Sequence, residues 1–85
     1  LGLVNRLVED GAALAEALAL AESICANSPV AVRESLSIVN QANEASDALA
    51  WQLSTDAAAR VRASEDSREG IAAFLEKRAP RWRGR

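Results

Sequence analysis

Histidine is absent from these 85 residues, and cysteine occurs once, at position 25. Without histidine the chain offers no Ser/His or Cys/His nucleophile pair and no usual zinc site, so it carries no complete catalytic constellation and no metal centre. One thiol forms no intrachain disulfide, which fits a reducing cytosol. Aromatic residues are scarce: Trp51, Phe74 and Trp82 are all there are. Nearly half of the residues are apolar, but many of these are alanine, which buries little area per residue. A chain this short buries only roughly 60–65% of its unfolded surface, so packing against another surface is expected. There is no long hydrophobic run. The apolar stretch 11–26 is interrupted by Glu16 and Glu22, which excludes a membrane span. No signal or transit peptide is visible, and a start at Leu1 rather than Met suggests a processed or excised piece.

The length makes one domain at most. The net charge of −2 is unevenly divided: residues 1–66 sum to −6 and residues 67–85 to +4. A basic end suits an anionic partner such as a phosphate-bearing cofactor, a nucleic acid or an acidic subunit surface, and it equally describes a solvated tail.

Along the chain, residues 1–8 (LGLVNRLV) read as a short edge strand or an extended segment. Asp10 is placed to cap a first helix over 11–27. Leu14, Leu18, Ala21 and Cys25 form one stripe of that helix, and Ala13, Ala17, Leu20 and Ile24 its neighbour. Such a wide apolar face predicts burial on most sides, with Cys25 as a small buried hydrophobe. Ser28-Pro29 is a helix start, with serine as N-cap and proline at the first helical position. It opens a second helix over 29–43. A third helix covers 46–63, with Arg60 and Arg62 where cations complement the helix dipole. Ser64 caps a fourth over 65–78, in which Ile71, Phe74 and Leu75 share a face. Gly70 is a weak point there unless a neighbour must come close. Pro80 ends that helix, and residues 79–85 form a basic tail.

Three groups of residues could carry chemistry. The carboxylate pairs Glu9/Asp10 and Glu65/Asp66 are adjacent, so they point about 100° apart on a helix and make no acid/base dyad; capping and dipole complementation explain them. Phe74 with Lys77 could stack a base and pair a phosphate, or be a core aromatic beside a solvated lysine. Trp82 among Arg78, Arg81, Arg83 and Arg85 has the ingredients of a single-strand binder, but the stretch is short and the rest of the chain repels a polyanion.

In GLVNRLV (2–8), ANSPVAVR (26–33) and SEDSREGIAAFLEKRAPRW (64–82), the chain resembles the C-terminal third of the crotonase family, the enoyl-CoA hydratase/isomerase superfamily. The resemblance implies an all-α, four-helix trimerisation region of a crotonase-like fold, with a short edge strand at its start. It implies a parent lyase that hydrates 2-enoyl-CoA, with coenzyme A present as part of the acyl-CoA substrate and no prosthetic group. The oxyanion hole and the two glutamates of such an enzyme belong to a core domain upstream of Leu1, so no catalytic residue falls here and the chain alone should be inactive. The positions matching Phe74 and Lys77 are those that reach the adenine-nucleotide end of coenzyme A. The implied partners are that core domain and further copies, as a trimer or hexamer, in the cytoplasm, with no nucleic acid and no membrane. Leu36, where many relatives carry lysine, and Arg62, at an often apolar place, depart from the pattern. The family also hosts isomerases, dehalogenases, hydrolases and decarboxylases, so the helical region does not select the reaction. A stand-alone helical oligomerisation module, and a small ligand or nucleic-acid binder using the tail, are the other expectations.

Overall fold

Serine side chains start three of the four helices. The computed structural model describes residues 2–85. In it α1 spans Ala13–Cys25, α2 Pro29–Ala42, α3 Asp47–Ala63 and α4 Glu65–Glu76. Ser28 accepts from the amide of Ala31 at 3.4 Å, Ser46 from Leu49 at 3.4 Å and Ser64 from Ser67 at 3.0 Å. Each thereby satisfies an amide that the first turn leaves free. Pro29 sits in the first turn of α2, where its missing N–H costs nothing.

α1 starts differently from expectation. Its N-cap is Ala12, which provides no side-chain bond, and Asp10 caps nothing. Gly11 adopts a φ of +84°, and the amide of Ala12 donates to the carbonyl of Glu9 at 3.0 Å. That turn places Asp10 two residues ahead of the cap, out of register with the amides it would serve. No strand forms among residues 2–8, and a sheet for an edge strand to join is missing from the described chain. Leu1, where the expected strand begins, lies outside the described residues.

α2 packs on α3, and α3 on α4. Ala57, 2% exposed, is the closest-packed point of α3, and the Arg60 guanidinium grips the Glu34 carboxylate at 2.7 and 3.0 Å across the two helices. That contact, chiefly its hydrogen bond, holds the Glu34 carboxyl below its ordinary range. α1 makes no comparable packing, and it has no buried residue.

This overturns two expectations. Leu14 and Leu18 of α1 are 72% and 56% exposed, and Cys25 is a free, exposed thiol. On α4, Ile71, Phe74 and Leu75 also face outward. The apolar stripes are real, but nothing among the described residues covers them. The buried hydrophobic residues are Val30, Ala57 and Ala73, a core far too small for the apolar content. Covering one Leu, Ile or Phe is worth about 1.5–3 kcal/mol, so each stripe represents several kcal/mol of unrealised stabilisation. The shape agrees: the chain measures 44 × 40 × 17 Å with a radius of gyration of 16.2 Å, against roughly 12 Å for a compact domain of this length. It is a thin layer of helices with uncovered faces.

Candidate coenzyme-binding site at the end of α4

The C-terminal tail decides the geometry at this end of the layer. It folds back along α4 and is held by two carboxylates from that helix. Asp66, 1% exposed, is the buried charged residue among those described. Its Oδ1 accepts from the amides of Arg83 at 2.7 Å and Gly84 at 3.1 Å, and its Oδ2 accepts from Gly84 at 3.1 Å and from the Ser28 hydroxyl at 2.9 Å. Gly84 has a φ of +75°, which turns two successive amides toward one anion in the manner of a backbone nest. The chain continues past this point so that the Arg85 carbonyl accepts from the Asp66 amide at 3.1 Å. Burial raises the pKa of Asp66, but the bonds from Arg83, Ser28, Gly84 and Val30 outweigh it and hold the carboxyl below its ordinary value.

Glu69, one turn on, is the second latch. Its two oxygens take the Arg78 guanidinium at 2.6 and 3.1 Å, and Oε1 also accepts from the Arg81 amide at 2.7 Å. The Arg78 bonds, then that amide, bring its pKa from an ordinary 4.5 to about 2 despite some burial. Between the latches Trp82 donates from Nε1 to the Ala26 carbonyl at 2.9 Å, tying the end of α1 to the tail. Its ring lies over Gly70: a Cβ there would stand 3.3 Å from the ring. Gly70 is therefore the point of close approach that the sequence left open, with an indole rather than a backbone as the neighbour.

The tail is thus no solvated basic end. Arg78 pairs with Glu69 and Glu76, and Arg85 with Glu65. The sequence pattern assigned Glu65/Asp66 to capping and the helix dipole and missed Asp66 as the anchor, because its partners lie 17 and 18 residues later and 38 residues earlier. A glycine close to the end of a basic tail, opposite an acidic helix start, is the signal that could have pointed to it.

Phe74 and Lys77 sit at the exit of this arrangement. Phe74 is 82% exposed, and its ring forms one wall of an open cleft of about 340 Å³ that also involves Val61, Gly70, Ile71, Leu75 and Trp82. Lys77 is not part of that cleft. α4 stops at Glu76, and Lys77 follows in the left-handed conformation, φ 53° and ψ 42°. Arg78, expected as a continuation of the helix, lies beyond it. The Lys77 side chain is exposed and makes no ion pair among the described residues. The chain therefore presents a bare aromatic face and, three residues on, a free ammonium. These are the elements needed to stack a purine and pair a phosphate.

Known proteins resemble this chain in sequence and in fold. A family model described as enoyl-CoA hydratase/isomerase matches residues 1–85. The enoyl-CoA hydratase EchA19 of Mycobacterium tuberculosis is 39% identical over 85 residues, covering 100% of this chain and 32% of that protein. A mevalonyl-coenzyme A hydratase of Aspergillus fumigatus is 41% identical over 88 residues, covering 96% of this chain and 31% of that protein. A crystal structure of an enoyl-CoA hydratase from M. tuberculosis superposes with a TM-score of 0.94 at 42% identity, covering 99% of this chain and 33% of that one. The chain thus spans about a third of the length of the relatives it matches. A match over every residue, together with the same four-helix layer in a solved hydratase, establishes that this chain belongs to the enoyl-CoA hydratase/isomerase family.

Proposed function

We propose that this chain works as the C-terminal helical region of an enzyme that hydrates 2-enoyl-CoA thioesters. In that role it supplies subunit contacts, in a trimer or hexamer, and one edge of the coenzyme A site. The observation that carries the reading is the uncovered apolar surface: Leu14 and Leu18 on α1 and Ile71 and Leu75 on α4 face solvent in a layer 17 Å thick. Exposed apolar area of this extent marks a surface meant to be covered. A core domain and neighbouring copies are the covers the reading assigns, and a cytosolic enzyme is consistent with the free thiol of Cys25.

At the coenzyme edge, Phe74 stacks on the adenine and Lys77 pairs with a phosphate. Coenzyme A enters and leaves as part of the acyl-CoA substrate. The chemistry at the thioester belongs to residues outside this chain, so the 85 residues bind and orient one end of the substrate and do not move its protons. The test is turnover of crotonyl-CoA by two samples, the 85-residue chain and the full-length enzyme that contains it. Activity confined to the full-length enzyme is expected. Activity in the short chain, or none in the long one, contradicts the proposal. An inactive full-length protein whose chain still self-associates in light scattering would instead support the stand-alone oligomerisation module, which the same exposed faces favour.

A further inference from the structure

The ammonium of Lys77 projects from a residue whose backbone is unfavourable for lysine. At φ 53° it is the one non-glycine residue with positive φ among those described. A left-handed residue after a helix is ordinarily glycine, because a Cβ crowds the following carbonyl. The turn is closed by two crossed bonds, Lys77 amide to Phe74 carbonyl at 3.3 Å and Arg78 amide to Ala73 carbonyl at 3.0 Å. Those bonds would form equally well with glycine at position 77. A side chain kept at such a position is a pointer to function.

A second set of contacts reaches the turn from its far side. The Arg78 guanidinium reaches back to Glu69 with both oxygens engaged, at 2.6 and 3.1 Å, and also to Glu76 at 2.5 Å. The same Glu69 carboxylate fixes the Arg81 amide at 2.7 Å. One side chain therefore pins the first and fourth residues after Lys77. The fork geometry of a guanidinium on a carboxylate fixes orientation as well as distance.

We propose that Glu69 and Arg78 are positioning residues for the coenzyme pair: their ion pair locks the left-handed turn and so sets where the Lys77 ammonium stands relative to the Phe74 ring. The inference rests on the reading of Phe74 and Lys77 as the nucleotide contacts. It adds that neither Glu69 nor Arg78 touches the ligand and that both act through Lys77.

The test uses the full-length enzyme with two substrates, crotonyl-CoA and crotonyl-pantetheine, which carries the same thioester and no nucleotide. Glu69→Gln, Arg78→Lys, Lys77→Ala and the double variant Glu69→Gln/Lys77→Ala are compared. Glu69→Gln and Arg78→Lys are expected to raise KM for crotonyl-CoA on the order of threefold to tenfold and to leave KM for crotonyl-pantetheine in place. The double variant should be no worse than Lys77→Ala. Three outcomes overturn the inference. If Lys77→Ala raises KM but Glu69→Gln and Arg78→Lys do not, the positioning role fails and the coenzyme reading stands. If Lys77→Ala itself changes nothing, both fail. If Glu69→Gln adds its full factor on top of Lys77→Ala, Glu69 acts through the fold rather than through the lysine. Should Glu69→Gln not fold, Arg78→Lys, which keeps the charge and loses the fork, decides alone by the same criteria.

Discussion

Replacing Lys77 by glycine should stabilise the chain while weakening coenzyme binding. In the left-handed region an L-residue costs roughly 1–2 kcal/mol relative to glycine. Glycine gives back about 0.5–1 kcal/mol of that through the larger entropy of its unfolded chain. With φ at 53° and ψ at 42°, the difference leaves Lys77→Gly ahead by about 0.5–1 kcal/mol. Lys77→Ala keeps the Cβ and gains nothing, so it should match the wild type. For a chain of 60–100 residues, 1 kcal/mol shifts Tm by roughly 4–8 °C, so the expected gain is about 2–8 °C. Thermal and urea melts of the three chains, followed by helical circular dichroism at one fixed concentration, measure it. The same Lys77→Gly change in the full-length enzyme should raise KM for an acyl-CoA. A glycine variant no more stable than the alanine variant would refute the claim that backbone strain is held at this residue. The opposed signs are the mark of a residue kept for binding at the expense of stability.

Three further outcomes follow from the tail. Gly70→Ala would ordinarily gain about 1 kcal/mol in helix propensity, but its Cβ would meet the Trp82 ring at 3.3 Å, and that ring is fixed by its bond to Ala26; the gain should appear only in a Trp82→Ala background, and an equal gain in both backgrounds would contradict the packing described. Glu69 has its pKa lowered from 4.5 to about 2, so its contribution is complete above the unfolded value and is lost as pH falls through the folded one; in a Trp51→Phe chain, Trp82 fluorescence should stay constant down to about pH 4.5 and change between there and pH 2, and a transition near neutral pH would rule this out. Asp66→Asn places an amide among donors from Arg83, Gly84 and Ser28, leaving unmatched polar groups in a buried spot; amides 83–85 should lose hydrogen-exchange protection while α2 and α3 keep theirs, and unchanged protection would count against Asp66 as the anchor.

Local chemistry was legible in the sequence, and what depends on distant partners was not. Ser28-Pro29 and Ser64 start helices because their bonds lie within three residues, so spacing alone reveals them. The end of α4 was harder: helix periodicity runs on through Arg78, whereas the structure stops at Glu76 and turns left-handed at Lys77, with Arg78 bonded back to Glu69. The apolar stripe of α1 was visible, but a stripe says that a surface is to be covered and not by what. Reading it as burial on most sides put Leu14, Leu18 and Cys25 under cover, and the described residues leave them exposed. At the candidate site, the proposal of Phe74 and Lys77 came from the resemblance to a family motif. Asp66, Glu69 and Trp82, which hold that end of α4 in place, make their decisive contacts 9 to 56 residues away, beyond the reach of helix periodicity.

The most direct test of the coenzyme assignment is the KM of the full-length Lys77→Ala enzyme for crotonyl-CoA set against its KM for crotonyl-pantetheine. The account predicts a rise for the coenzyme A thioester on the order of tenfold, as one charge-assisted contact is lost, with the pantetheine thioester unaffected. Equal KM changes for both substrates, or no change in either, would contradict it.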